Sequence, residues 1–265
     1  MGKIKFMGFA ATTICVAVFG ISTARADALD DIMKTKTIRI ATDLAIPPSG
    51  MIDAELKPIG SDVEAAQLLA KDWGLKLEFV QTTGATRIPN LQTGKADVAI
   101  STLSVTPERA KVIAFSRPYA VLQSVIGARK NMVIRNLDDL KGKTVSVTRG
   151  TTQDVELTAI AKEKGFQVTR YDDDATNVTA AVSGQSDIVA TSLTIVNQIS
   201  AQNPARAFES KVVLHVFDLA MGVKKGEPRL LAKINEWIGA NLENGKLNAI
   251  YKKYHGVDLP AQMHQ

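Results

Sequence analysis

The feature that most restricts this chain is an order of strand, helix, glycine and strand that it writes twice. Thr37-Ile38-Arg39-Ile40-Ala41 reads as a strand, followed by a loop at Ile46-Pro47-Pro48-Ser49-Gly50 and a helix over 61–73. In that helix Val63, Ala66, Leu69 and Ala70 recur on one face, with Ser61 placed to cap it. Gly74 closes the helix, 76–80 is the next strand, 88–92 a short helix ended by Gly94, and 97–100 a buried strand. The order returns with a strand over 143–148, a helix over 151–164 and a strand over 166–168. Residues 91–104 are matched by 181–194, sharing the glycine, the aspartate (Asp97, Asp187) and a leucine. Helices alternating with short strands imply a mostly parallel sheet covered on both faces. Written twice, they imply two similar α/β lobes.

The remaining chain decides how the lobes connect. Residues 212–217 and 220–223 read as two strands, and 230–242 as an amphipathic helix with Leu231, Ile234, Trp237 and Ile238 on its apolar side. A last helix over 247–254 is expected to dock on the first lobe. The expected first lobe is therefore 27–120 plus 216–265, and the second 121–215. Two crossings between lobes make a hinge, and the cleft falls where the carboxyl ends of the strands face each other.

The first 26 residues stand apart. Lys3 and Lys5 precede an apolar run from position 6 to 21, which ends in Ser22-Thr23-Ala24-Arg25-Ala26. A basic start, a short apolar stretch and an Ala-x-Ala pattern describe a secretory signal peptide. Ala26 and Ala28 both fit the last position before the cut, with Ala26 preferred. The run is shorter than the roughly 20 residues that cross a bilayer. Cys15 lies inside it, so the mature chain has no cysteine and must be held by its hydrophobic core. The leader carries Lys3, Lys5 and Arg25 and no acid, so the formal charge of +5 drops to +2 without it. The basic residues are scattered, which gives no footprint for nucleic acid.

Ser101-Thr102-Leu103-Ser104-Val105-Thr106-Pro107-Glu108-Arg109, followed by Phe115-Ser116-Arg117-Pro118-Tyr119, resembles the signature of the family 3 extracellular solute-binding proteins. The similarity runs from Ile38 through Gly150-Thr151-Thr152 to the C-terminal helices. The resemblance implies the two-lobed periplasmic binding protein fold with a hinge and an interlobe ligand cleft. It also implies a periplasmic monomer that captures a small amino-acid-like ligand for an inner-membrane ABC permease, with no cofactor and no metal.

In that resemblance Arg109 grips the ligand α-carboxylate, with help at Thr151 and Thr152. A guanidinium presents a rigid fork to a carboxylate, and free amides at a helix start complete an anion site. Thr102 and Ser104 would face the ammonium. Arg87 offers a second cationic fork for an acidic or amide side chain, or else decorates a helix start or pairs with Glu78. Asp97 and Asp187 read as structural. Two positions depart from the family. Ser192 stands where an aspartate pairs with the ligand ammonium, and Ser49 where an aromatic packs on the ligand. Asp43 or one of Asp172, Asp173 and Asp174 would then have to supply the negative charge. The expected ligand is a small acidic or amide-type amino acid or a derivative with a modified amine.

Two rival functions remain open. A sensor reporting to a membrane receptor would use the same cleft. A dehydratase-like enzyme would need a poised acid or base. Beyond the leader there are only His215, His255 and His264, none beside a cleft motif, and no His-x-x-x-His or Gly-x-Gly-x-x-Gly spacing. The expectation is that the protein is not an enzyme.

Overall fold

The computed structural model describes residue 2 and residues 27–264, so the expected leader, with Cys15, lies outside the described residues. In chain order the elements begin with α1 (Ala28–Thr35), β1 (Thr37–Thr42), β2 (Met51–Ile52), β3 (Pro58–Ile59), α2 (Ser61–Asp72) and β4 (Lys76–Gln81). Then come α3 (Arg87–Gln92), β5 (Val98–Ala99), α4 (Pro107–Ala110), β6 (Ile113–Arg129), β7 (Thr144–Thr148) and α5 (Thr152–Lys164). The chain ends with β8 (Gln167–Tyr171), α6 (Asp174–Ser183), β9 (Ile188–Ser192), α7 (Leu193–Gln202), β10 (Phe208–Lys224), α8 (Pro228–Glu243) and α9 (Lys246–His255).

Eight strands form one continuous ladder in the order β4-β1-β5-β10-β6-β9-β7-β8. Its two middle strands, β6 and β10, are each 17 residues long and pair antiparallel from Phe208–Arg129 at one end to Lys224–Ile113 at the other. At one end β10 pairs with β5, and at the other β6 pairs with β9. The outer strands of each half are parallel, as helices between consecutive strands require. The result is two α/β lobes joined by one antiparallel ribbon.

The apolar residues divide the same way. One core gathers Ile38, Ile40, Leu69, Val98, Ile234 and Ile238 under α2 and α8, and another gathers Ile126, Val145, Val147, Leu157 and Ile188 against α5. A third, around Val125, Val189, Val196 and Ile199, also takes in Ile46 from the loop after β1. That loop carries a cis bond between Pro47 and Pro48. No described helix is long and apolar enough to cross a membrane.

Four expectations change. The two strands read over 212–217 and 220–223 are one strand, β10, whose irregularities between Leu219 and Gly222 interrupt the alternation that marks a strand in sequence. The strand read over 97–100 pairs only at Val98 and Ala99. Ser61 does not cap α2: the cap position is Gly60, and the Ser61 hydroxyl instead bonds His255 Nε2 at 3.1 Å. Helix α1, not anticipated, is capped by Asp27 and braced on α8.

Candidate functional site

The lobes meet over a cavity of about 30 Å³. Arg87, Thr102, Ser104 and Arg109 line it from the first lobe; Thr148, Thr151, Thr152, Gln153, Asp174 and Ser192 line it from the second. Ile46, Leu122 and Ile195 are its apolar walls. Of the residues singled out in sequence, eight are brought together here: Arg87, Thr102, Ser104, Arg109, Thr151, Thr152, Asp174 and Ser192. Asp43 is not on the cavity wall but buried close behind it.

Arg109 follows from a short, well-capped turn. Thr106 Oγ1 accepts from the Arg109 amide at 3.3 Å and Pro107 opens α4 with no amide to satisfy. The guanidinium donates from Nη1 to the Ser104 carbonyl at 3.0 Å and from Nη2 across the cleft to the Gly150 carbonyl at 3.3 Å. Burial and then the neighbouring Arg87 push its pKa down to about 10, so it remains charged at neutral pH. Facing it is the start of α5. Thr151 caps this helix, its Oγ1 accepting from the Asp154 amide at 3.2 Å and donating to the Thr148 carbonyl at 2.7 Å. A helix start leaves its first amides without intrahelical acceptors, here those of Thr152 and Gln153. Together with Arg109 these are groups suited to receive an anion.

Arg87 lines the cavity and also serves the backbone behind it. It is buried, and its Nη1 donates to the carbonyls of Ser101 and of Thr102, the latter at 3.2 Å. Glu78, its possible partner in sequence, is taken by Lys76 at 2.8 Å. Arg87 therefore braces the segment that carries Thr102. That segment is strained: Thr102 has φ 44°, a left-handed conformation unusual for a β-branched residue. Asp62 on α2 holds it, accepting from the Thr102 amide at 2.7 Å and from Tyr119 Oη at 2.6 Å. Burial pushes the Asp62 carboxyl up to about 6 against the pull of those two bonds.

The negative side of the cavity is Asp174. Asp173 caps α6, accepting from the Thr176 amide at 2.7 Å, which leaves Asp174 as the first helical residue with its carboxylate turned into the cleft. One oxygen accepts from Thr148 Oγ1 at 2.8 Å, and the other is buried without a partner. Burial first, and then the charge of Asp43, raise its pKa to about 7. Asp43 also has one partnerless buried oxygen; the other accepts from the Ala45 amide at 3.0 Å. Its carboxyl is likewise raised by burial, opposed by Arg87. Ser192 lies on the cavity wall. Its Oγ caps α7, accepting from the Ile195 amide at 3.3 Å. Ser49 lies away from this cavity; it is Ile46, three residues earlier, that reaches it.

Two lobes on a double ribbon, with Arg109 and Asp174 lining the cavity between them, are the architecture of a solute-binding protein. Residues 38–257 match the model of the bacterial extracellular solute-binding proteins, family 3. The chain belongs to that family, and its homologues include amino-acid-binding proteins of ABC transporters. It is 27% identical over 262 residues to the L-cystine-binding protein TcyJ of Escherichia coli, covering 98% of this chain and 97% of that one. It is 30% identical over 232 residues to the lysine/arginine/ornithine-binding periplasmic protein of Escherichia coli, covering 84% and 89%. Among solved structures, a solute receptor for L-cysteine of Neisseria gonorrhoeae superposes with a TM-score of 0.80 at 32% identity, over 86% of this chain and 93% of that one. Such proteins bind and release rather than catalyse. Among the described residues no group of three or more His, Cys, Asp or Glu is placed to hold a metal.

Proposed function

We propose that this protein captures a free α-amino acid of the amide type in the periplasm and hands it to an ABC permease. The lobes, 27–120 plus 216–265 and 121–215, close about β6 and β10. The observation that carries the reading is the partnerless oxygen of Asp174 in the same cavity as Arg109. A zwitterion has its carboxylate met by Arg109 and the α5 amides and its ammonium met by Asp174. Leaving either charge unpaired in a closed cleft would cost several kcal/mol. The missing aspartate at Ser192 is thus offset from α6, and a standard ammonium is accommodated.

The choice between acidic and amide side chains follows from Arg87. Its guanidinium is already engaged by the carbonyls of Thr83, Ser101 and Thr102 and lies among Asp43, Asp62 and Asp174. A further carboxylate would add negative charge to that group, whereas an amide accepts from Arg87 without doing so. Relatives named for cystine, glutamine and the basic amino acids show that the fold accommodates several side chains.

Calorimetric titration with glutamine, asparagine, glutamate, aspartate, arginine and lysine tests the reading. Binding of glutamine or asparagine at least tenfold tighter than the acids is expected. Tight binding of arginine or lysine with none of the amides would overturn it.

A further inference from the structure

Beside the cleft lies a second cavity, larger and of different chemistry. It measures about 410 Å³ and sits between the Pro47–Pro48 loop, the start of α7, the middle of the β6–β10 ribbon and the end of α9. Ile46, Thr102, Leu122 and Ser192 line both cavities, so the two share a wall. A cavity needs only about 10–15 Å³ to hold one water. At about 30 Å³, the cavity between Arg87, Arg109 and Asp174 is by far the smaller of the two.

The walls of the second cavity show what it can take. None of its lining residues is Asp, Glu, Lys or Arg. Leu122, Leu193, Val216, Leu219 and Val257 make it mainly apolar, with Gln123 and Asn197 as neutral polar groups. Of its two aromatic rings, His255 stacks on Tyr251 with centroids 4.2 Å apart. Burial lowers the His255 pKa to about 4, so the ring is neutral at pH 7. A charged group here would lose its hydration with no opposite charge to receive it, whereas a neutral apolar group gains about 25 cal/mol per Å² buried.

Resting on the amino-acid reading of the cleft, we propose that this second cavity binds a neutral, partly apolar extension of the same ligand, entering past Ser192 and Leu122. The extension is carried by the side chain or by a substituent on the amine. Either leaves the head group charged, so both satisfy Arg109 and Asp174. The predicted ligand is longer than the cleft alone accommodates.

Calorimetry with L-alanine, L-glutamine, L-methionine, L-phenylalanine and N-benzyl-L-alanine tests this. At least one of the three extended apolar compounds, L-methionine, L-phenylalanine and N-benzyl-L-alanine, should bind tenfold or more tighter than L-alanine, with L-glutamine reporting on Arg87 instead. L-phenylalanine against N-benzyl-L-alanine tells a side chain from an amine substituent. Val216→Trp and, separately, Asn197→Trp, both on the exposed rim, should each remove that gain and leave L-alanine within twofold. If L-alanine binds and no extended compound binds tighter, or the gain survives both substitutions, the second cavity is not part of the site. If none of the compounds binds, the amino-acid reading itself fails, and this inference with it.

Discussion

The Nη2 of Arg109 donates to the carbonyl of Gly150 at 3.3 Å, and that bond joins the two lobes across the cleft. The same side chain that offers a fork to a ligand carboxylate thus also holds the door. Gly150 is fixed in turn by its amide, which donates to Asp154 Oδ2 at 3.0 Å, while Arg170 Nε holds the other Asp154 oxygen at 2.7 Å. The carbonyl that Arg109 meets therefore sits on a rigid corner of the second lobe.

Replacing Arg109 with alanine removes both functions at once. Affinity for the tightest-binding amino acid should fall by about 2–5 kcal/mol, the usual cost of stripping one partner from a buried charged pair. The fold should persist, because Arg109 spans lobes rather than sits in either core. Calorimetry and a thermal melt on the same sample check this; near wild-type affinity would show that Arg109 does not meet the ligand.

Closure depends on backbone approaching backbone. A Cβ on Gly84 would come within 2.7 Å of the Arg149 carbonyl, and a Cβ on Gly150 within 2.8 Å of the Ala85 Cα. Gly150 also has φ 75°, so substitution there strains the chain in any state. Gly84 is not so constrained, which makes Gly84→Val the cleaner test. It should keep its melting temperature within a few degrees but close incompletely. Small-angle scattering with saturating ligand should show a smaller contraction than the wild type, with at least tenfold weaker binding. Full contraction would mean that the lobes close elsewhere.

Much of this was legible in the sequence, and the rest shows why pattern has limits. Period, glycines and caps located the helices because those signals are local: α2, α5, α8 and α9 fall within two residues of expectation. Arg109 was legible because its Thr-Pro turn is also local. Asp174 was only one of three adjacent aspartates, since its selection depends on Asp173 taking the cap and turning the next side chain inward. For Arg87 the charge is visible in sequence, while the carbonyls of Ser101 and Thr102 that it meets are brought there only by the fold.

Asp174 makes binding and stability depend on pH in opposite directions. Its folded pKa of about 7 lies above the ordinary carboxylate value, so between about pH 4 and 7 the folded protein without ligand holds more protons than the unfolded chain. Stability from this group is therefore greatest in acid and is lost as pH rises through 7. A ligand ammonium needs the ionised form, so affinity should fall as pH drops below 7, approaching tenfold per unit. Asp174→Asn should flatten both profiles and weaken binding at pH 8. An unchanged affinity profile in the variant would remove Asp174 from the ammonium site.

Asp62 should matter for stability more than its distance from the ligand suggests. Asp62→Ala leaves the Thr102 amide and the Tyr119 hydroxyl without their acceptor in a buried place. Such unsatisfied groups cost about 1–3 kcal/mol each, so a melting temperature lower by several degrees is expected. Binding should weaken too, since Thr102 would no longer be held in its left-handed turn. Asp62→Asn, which keeps one acceptor, should recover part of both losses; equal effects from the two substitutions would show that the contacts at Thr102 do not matter.

Asp27 bears on where the mature chain should begin. Its carboxylate accepts from the Leu29 amide at 3.0 Å, capping α1, and from the amides of Arg229 at 2.8 Å and Leu230 at 3.2 Å at the start of α8. The Ala28 amide donates to Glu227 Oε2 at 2.6 Å. A cut after Ala28 would discard the residue that caps both helices, whereas a cut after Ala26 keeps it. A lost cap costs about 1 kcal/mol, and two helices share this one. The protein recovered from the periplasm should therefore begin at Asp27, with the mass of residues 27–265 and no lipid. Asp27→Ala in that mature chain should lower the melting temperature without changing ligand affinity. A mass beginning at Leu29, or a melt indifferent to Asp27, would contradict this.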